Sequence, residues 1–337
     1  MLLRQMWYGF TNRLFPQRCF RFSHDYQSRE RLTIALLSFN RPRYLGRVLA
    51  SLIPQLQPED EVFLFQDGSF NPASNRQKAD DRQIEQCVRI FEQSTGSFIA
   101  KQCNVNVFRS SVNLGIAGNY RAAEQYVFET LNRKRALFLE DDLVLGPDFL
   151  HVTDKLLDLS EREPMIGYVS AYGDLWASRR LQHERNGQLI LMHENWGAAL
   201  TKRSWLAQQK VREQYWSLIE NVDYSFRDNE RIVSFYKDLG FECNITSQDS
   251  SRWIACLMAG MVRLTTSTCN ARYIGKIGEH SKANYFRTYR FKDSRIFDGI
   301  TVVNMPNKSE LERWYKESLD DFKGGYVHSY QKKSKPC

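Results

Sequence analysis

From residue 32 onward the chain alternates short apolar runs with polar loops and amphipathic stretches. Residues 32–39 form a continuous apolar run of strand length, and Asn40-Arg41-Pro42 breaks it before a helix expected over 44–53. A second short strand over 61–66 closes on the turn signal Asp67-Gly68-Ser69, and 83–91 reads as helix after a polar loop. A third strand (105–109), an amphipathic helix (119–129) and a fourth strand (136–139) follow, the last running into Glu140-Asp141-Asp142. Strands and helices in alternation predict an α/β fold with a mostly parallel central sheet and helices on both faces. Sheets of that kind bind ligands at the carboxyl edge of their strands.

Past residue 160 the alternation weakens. Strands are expected at 169–172 and 188–193 and helices at 202–215 and 229–239, while 253–259 is apolar on several sides. Residues 274–284, rich in Gly, His and Ser, read as a loop, and beyond 285 charged and aromatic residues mix without a clear period.

Length and composition narrow the class. The 337 residues suit about two domains, or one large α/β unit with a tail. The pattern divides them into a basic amphipathic segment (1–30), a main domain (31–284) and a C-terminal extension (285–337) with a basic tail. With 42% hydrophobic and 26% charged residues, wholesale disorder and fibrous architectures are excluded. Lys and Arg exceed Asp and Glu by 47 to 39, a net +8 that suits a polyanionic ligand, an anionic membrane surface or nucleic acid. The basic residues spread along the whole chain rather than forming one stripe with interleaved aromatics, so no nucleic-acid partner is expected. Seven scattered cysteines without a C-x-x-C pair indicate neither a zinc site nor a disulfide framework, and a reducing, cytoplasmic setting is expected.

No apolar run approaches the ~18–20 residues that span a bilayer. The first 24 residues carry Arg4, Arg13, Arg18 and Arg21, no acid, and apolar residues at roughly helical spacing. Such a segment either lies on an anionic leaflet, giving peripheral association with the cytoplasmic membrane face, or packs on the protein's own surface.

The sharpest chemical signal is the acid triplet Glu140-Asp141-Asp142 after a buried strand. Carboxylates crowded at a sheet edge must be offset by a cation or by hydrogen bonds. Mg²⁺ or Mn²⁺ does this with one or two carboxylates plus diphosphate oxygens. The alternative is a helix cap, with Asp142 opening a helix near Pro147.

Four blocks in order extend this signal: Ser38-Phe39-Asn40-Arg41-Pro42, Phe65-Gln66-Asp67-Gly68-Ser69, Asn113-Leu114-Gly115-Ile116-Ala117-Gly118-Asn119 and Leu139-Glu140-Asp141-Asp142-Leu143. Their order and spacing over about 110 residues resemble those of GT-A glycosyltransferases, enzymes of the nucleotide-diphospho-sugar transferase fold. The last block, with Pro147-Asp148-Phe149, is similar to the N-acetylglucosaminyltransferase I type, and other parts resemble bacterial family 2 enzymes.

The resemblance implies a nucleotide-sugar donor and Mn²⁺ or Mg²⁺. It assigns Ser38, Asn40 and Arg41 to nucleotide contact and Asp67 to the base or ribose. Asn113, Gly115 and Asn119 would border the donor, Asp142 would ligate the metal directly, and Glu140 and Asp141 would meet ribose, sugar or metal-bound water. In Glu194-Asn195-Trp196-Gly197-Ala198-Ala199, Gly197 would let the chain pass close to the sugar. Asp249 aligns with the catalytic base of inverting members, with Asp223 and Asp228 as rivals in a charged stretch. His280 falls where such enzymes place a metal or diphosphate contact, near Lys276 and Lys282. Taken alone, Asp67 reads equally as a turn former, 113–119 as a ligand-free helix start, 194–199 as a strand-end turn with a buried Trp, and His280 as an exposed loop residue.

The function so implied is metal-dependent hexosyl or N-acetylhexosaminyl transfer to a hydroxyl with inversion, as in cell-surface polysaccharide or glycolipid synthesis. The acceptor would be a saccharide or lipid-linked saccharide. A sugar nucleotidyltransferase is the nearest alternative, but its glycine- and lysine-rich loop after the first strand is missing: residues 38–47 contain only Gly46. A nucleic-acid-binding protein and a fold that has lost catalysis are the remaining alternatives.

Overall fold

The computed structural model describes residues 30–96, 102–278 and 283–323. The first half follows the expected alternation: β1 (Thr33–Ser38), α1 (Pro42–Leu52), β2 (Glu61–Gln66), a small hairpin of β3 (Phe70–Asn71) and β4 (Arg76–Gln77), α2 (Asp81–Thr95), β5 (Asn104–Arg109), α3 (Gly115–Gln125) and β6 (Arg135–Glu140). Pro42 opens α1, where its missing N–H costs nothing, and Asp80 caps α2 by accepting from the Arg82 N–H. The second half holds β7 (Leu143–Leu145), α4 (Phe149–Arg162), β8 (Ile166–Ser170), α5 (Arg179–Glu184), β9 (Leu189–Leu191), β10 (Ala198–Thr201), α6 (Lys202–Ile219), α7 (Asn229–Asp238) and α8 (Gln248–Met258). It closes with β11 (Val262–Thr266), β12 (Ala271–Tyr273), α9 (Ala283–Thr288) and α10 (Lys308–Lys323).

Eight strands form one sheet in the order β5-β2-β1-β6-β10-β8-β11-β9. β5, β2, β1 and β6 run parallel, as do β8 and β11, whereas β10 and β9 pair antiparallel with their neighbours. Every residue of β1, β2, β8, β10 and β11 is buried. Because successive side chains point to opposite faces, this requires cover on both sides of the sheet. The cover is helical: α2 and α3 lie against β2, α3 also against β1, and α4 and α6 against β8 and β10. A second apolar cluster joins α6, α7 and α8 through Val211, Tyr215, Ile232, Tyr236 and Trp253, with Phe322 of α10 closing it.

The topology fixes where a ligand can sit. The chain builds outward from β1 to β2 to β5, then returns to the other side of β1 for β6. The strand order therefore reverses between β1 and β6, leaving a crevice beyond their carboxyl ends. Leu37 pairs with Glu140, so the Ser38–Arg41 turn and the acid triplet meet at that crevice. β10 runs the other way, bringing the 194–197 loop to the same edge, where Ala198 lies beside both Phe138 and Ser170.

Several local expectations change. The strand expected at 169–172 runs from Ile166 to Ser170, the apolar 253–259 stretch belongs to α8, and the 274–284 loop runs into α9 at Ala283. Asp142 caps no helix: it lies in the turn between β6 and β7, and α4 begins only at Phe149. The region expected as a C-terminal extension enters the main core through Phe291, Leu311 and Trp314. The N-terminal amphipathic segment (1–29) and the basic tail (331–337) lie outside the described residues, among which no helix is long and apolar enough to cross a membrane.

Gly197 gives a measurable check on this packing. Its φ is +57°, and a Cβ there would stand 2.9 Å from both Leu143 Cδ2 and Phe149 Cζ. Gly240, at φ +87°, has open space. Gly240→Ala should lower stability in urea unfolding by about 1–2 kcal/mol from backbone strain alone, and Gly197→Ala by about 2–4 kcal/mol because overpacking adds to it. Equal losses would mean that the core does not press on Gly197.

Candidate active site

The acid triplet emerges where β6 ends. Glu140 is half-buried, while Asp141 and Asp142 are 2% and 3% exposed. Arg41, just past β1, reaches across the crevice to both aspartates: Nη1 donates to Asp142 Oδ2 at 2.8 Å, and Nη2 pairs with Asp141 Oδ1. The Arg41 backbone is fixed because its carbonyl accepts the Tyr44 and Leu45 N–H groups at the start of α1. Its guanidinium lies 5.5 Å from the centre of the Tyr44 ring.

Burial dominates the electrostatics. It pushes the Glu140 carboxyl well above its ordinary range, the negative charges of Asp142 and Asp249 push the same way, and Arg41 opposes them. Asp141 is also raised by burial and by Asp142, with Arg41 again pulling down. Arg41, although desolvated, is held charged by the two aspartates.

Asp249 stands in the first turn of α8, after the cap residue Ser247. Its charge acts on Glu140, so the base expected from sequence and the acid triplet share one neighbourhood. The carboxylate is half exposed; Oδ1 accepts from Asn195 Nδ2 at 2.7 Å and lies 4.0 Å from Arg252 Nη1. Oδ2 makes no hydrogen bond among the described residues. Beneath it, buried Arg252 rests on the Tyr120 ring at 3.8 Å and pairs with Glu124 Oε1 at 3.3 Å, and Arg212 also pairs with Glu124. Sequence reasoning passed over Arg252, Glu124 and Asn195. A signal existed for two of them: Arg252 lies three residues after Asp249 on a helix, and Asn195 lies within the 194–199 block.

The loop carrying Asn195 is fixed from below. The Tyr172 hydroxyl accepts from the His193 and Glu194 N–H groups, Ser170 Oγ donates to the Trp196 carbonyl, and Trp196 stacks on Tyr273 with centroids 4.1 Å apart. The space a Gly197 side chain would need is filled by Leu143 and Phe149, so core packing accounts for that glycine.

Other residues expected at the donor site build its rim. Asp67 is buried: Oδ1 accepts the Gly68 and Leu114 N–H groups, and Oδ2 accepts from Asn113 Nδ2. Asn119 Nδ2 donates to the Phe65 carbonyl. Ser38 is buried beside the Cys87 thiol, whose ionisation burial pushes up to about 12. Gly115 opens α3 at φ +67°, and Asn40 is half-buried in the turn after β1. Thus Asp67, Asn113 and Asn119 hold together the loops at the carboxyl ends of β2 and β5. His280 and Lys282 lie outside the described residues, and Lys276 is exposed.

The two rival bases are both engaged. Asp228 caps α7, accepting from the Arg231 N–H. Asp223 is buried, not on a solvated face: Oδ2 accepts from Lys78 Nζ and Ser74 Oγ at 2.7 Å each, and Oδ1 accepts from the Ser225 N–H and hydroxyl. It ties the β3–β4 hairpin to the 222–227 turn.

The donor set suits a hard divalent cation. Asp141 Oδ2 and Asp142 Oδ1 are buried and have no hydrogen-bond partner among the described residues. A Cβ at Gly275 would run into the Tyr273 hydroxyl and lie 2.6 Å from Asp142 Oδ2, so this glycine lets the backbone pass close to both groups. Among the described residues no three His, Cys, Asp or Glu side chains form a ready cage. The two open carboxylate oxygens match what a Mg²⁺-like ion takes, its shell being completed by water and phosphate oxygens.

No family model and no curated protein matches the sequence. Solved structures that resemble the chain include residues 1–349 of TarS from S. aureus (12% identity, TM-score 0.44, covering 91% of this chain and 76% of that one). A second is the mannosyltransferase PcManGT from Pyrobaculum calidifontis in complex with GDP-Man and Mn²⁺ (14%, TM-score 0.42, 85% and 68%). A third is the galactosyltransferase LgtC with donor and acceptor sugar analogues (12%, TM-score 0.39, 86% and 96%). Identities this low leave the functional reading to the residues themselves.

Two outcomes follow from the rim. Asp67→Ala removes a charged acceptor from three donors and should cost about 3 kcal/mol in chemical denaturation; a loss below about 1 kcal/mol would show that Asp67 does not hold the rim. Burial raises the Asp223 carboxyl, but the bonds from Lys78, Ser225 and Ser74 outweigh it and hold the group well below the ordinary range. A depressed native pKa adds stability above the unfolded value of about 4 that is lost as pH falls toward the native value. Asp223→Asn should therefore lower stability at pH 7 and flatten its decline below about pH 4. Parallel pH curves for the two proteins would contradict this.

Proposed function

We propose that the protein is a glycosyltransferase that moves a sugar from a nucleoside-diphosphate donor to a hydroxyl acceptor with inversion, assisted by Mn²⁺ or Mg²⁺. The observation that supports this reading is the meeting of Glu140, Asp141, Asp142 and Arg41 at the β1–β6 crevice, with the Asp249 charge acting on Glu140. Clustered hard oxygens beside a guanidinium suit a diphosphate better than a neutral ligand. Asp142 is the leading ligand for the metal and Asp141 the second. A divalent ion held there would neutralise charge on the departing diphosphate.

The protein's own groups account for the rest. Arg41 supplies a planar, always-charged donor for phosphate oxygens. Asp249 takes the proton of the acceptor hydroxyl on Oδ2 while Asn195 holds Oδ1, and Arg252 stabilises the carboxylate before transfer. The network of Arg252, Tyr120, Glu124 and Arg212 ties α8, which carries the base, to α3 and α6. A saccharide acceptor is part of this proposal. A lipid-linked acceptor at a membrane face is a finer version that depends on residues 1–29.

The proposal is tested by screening UDP-, GDP-, CMP- and dTDP-sugars with and without Mn²⁺ in thermal-shift and donor-hydrolysis assays. One donor class should stabilise the protein in a metal-dependent way. Asp142→Ala and Asp249→Ala should each reduce turnover by about 10²–10⁴-fold while remaining folded. Near-normal sugar transfer by both variants would overturn the assignment.

A further inference from the structure

Arg41 pairs with one oxygen of each aspartate that a metal ion would use. Its guanidinium bridges Asp141 and Asp142, with Asp142 Oδ2 at 2.8 Å, while Asp141 Oδ2 and Asp142 Oδ1 are left without partners. Both aspartates are almost fully buried, so water screens their charges little. Among the described residues Arg41 is the cation in direct contact with them. Its backbone is locked at the start of α1, while 23% of its side-chain surface stays open to solvent.

A divalent ion binds carboxylate oxygen at about 2.0–2.1 Å. An ion on this aspartate pair would stand within a few ångströms of the guanidinium, and two cations that close in a poorly solvated site repel strongly. Guanidinium groups also pair with phosphate in the same forked geometry they use for carboxylates.

We propose that Arg41 is the resident counter-cation of the acid triplet and that a divalent ion enters by exchange: the ion takes the aspartates, and the guanidinium moves to the diphosphate. This inference rests on the sugar-transfer reading above. It makes Arg41 a gate that weakens metal binding to the nucleotide-free protein and couples metal entry to donor arrival.

The test uses the full chain with Mn²⁺ as the probe and no nucleotide. Binding is followed by the paramagnetic resonance signal of free Mn²⁺. Arg41→Met should bind Mn²⁺ at least about tenfold more tightly than the native protein, and Arg41→Lys, which keeps the charge, should stay close to it. In the native protein, Mn²⁺ should also speed modification of Arg41 by phenylglyoxal, read by mass spectrometry, a measurement that needs no variant to fold. Equal or weaker binding by Arg41→Met, or Arg41 protected or unaffected by Mn²⁺, overturns the exchange. Tight Mn²⁺ binding by the variant without any donor hydrolysis by the native protein would sink the functional reading and leave the exchange standing.

Discussion

Three acids at the end of a buried strand repel one another, and in a poorly solvated crevice that repulsion must be met by positive charge within a few ångströms. Much of the carboxyl edge serves this requirement. Arg41 is carried on the turn between β1 and α1, the element that faces β6 across the point where strand order reverses. The parallel register that pairs Leu37 with Glu140 sets cation and acids opposite one another. A one-residue slip of that register would turn alternate side chains to the other face and break the pairing.

Around this charge pair the structure separates residues that hold the site from residues able to act. Asp67, Asn113, Asn119 and Asp223 spend their hydrogen-bonding capacity on backbone and neighbouring side chains. Asp141, Asp142 and Asp249 each keep one oxygen without a hydrogen-bond partner among the described residues. Asp223 and Asp249, alike in sequence as acids in polar stretches, differ in this respect: Asp223 is sealed by Lys78 and two serines, and Asp249 is half exposed with Asn195 holding one oxygen.

The first half of the fold was readable because β1, β2 and β6 are largely apolar on both faces, β5 alternates, and the loops between them are polar. The strand expected at 61–66 coincides with β2, that at 105–109 differs from β5 by one residue at its start, and those at 32–39 and 136–139 differ from β1 and β6 by one residue at each end. The second half hides its elements. β11 buries Arg263, Thr265 and Thr266 by hydrogen-bonding them, so the strand carries no apolar run. α4 buries Thr153, Asp154 and Ser160 along with its apolar residues, which blurs its stripe, and Ser318 interrupts the buried face of α10. The acid triplet and Asp249 were visible as residue types at suggestive positions. Their shared neighbourhood, and the support from Arg252, Glu124 and Asn195, depend on contacts across as many as 128 positions that no local pattern encodes.

The central claim is that the β1–β6 crevice holds a divalent cation on Asp142 and a nucleoside diphosphate beside it. The most direct measurement is a crystal structure of the protein grown with Mn²⁺ and a nucleoside diphosphate, with anomalous data collected at the manganese edge. The account predicts an anomalous peak about 2.0–2.2 Å from an Asp142 carboxylate oxygen, with phosphate oxygens completing the shell. A nucleotide bound elsewhere, or manganese on a surface remote from the triplet, would contradict it.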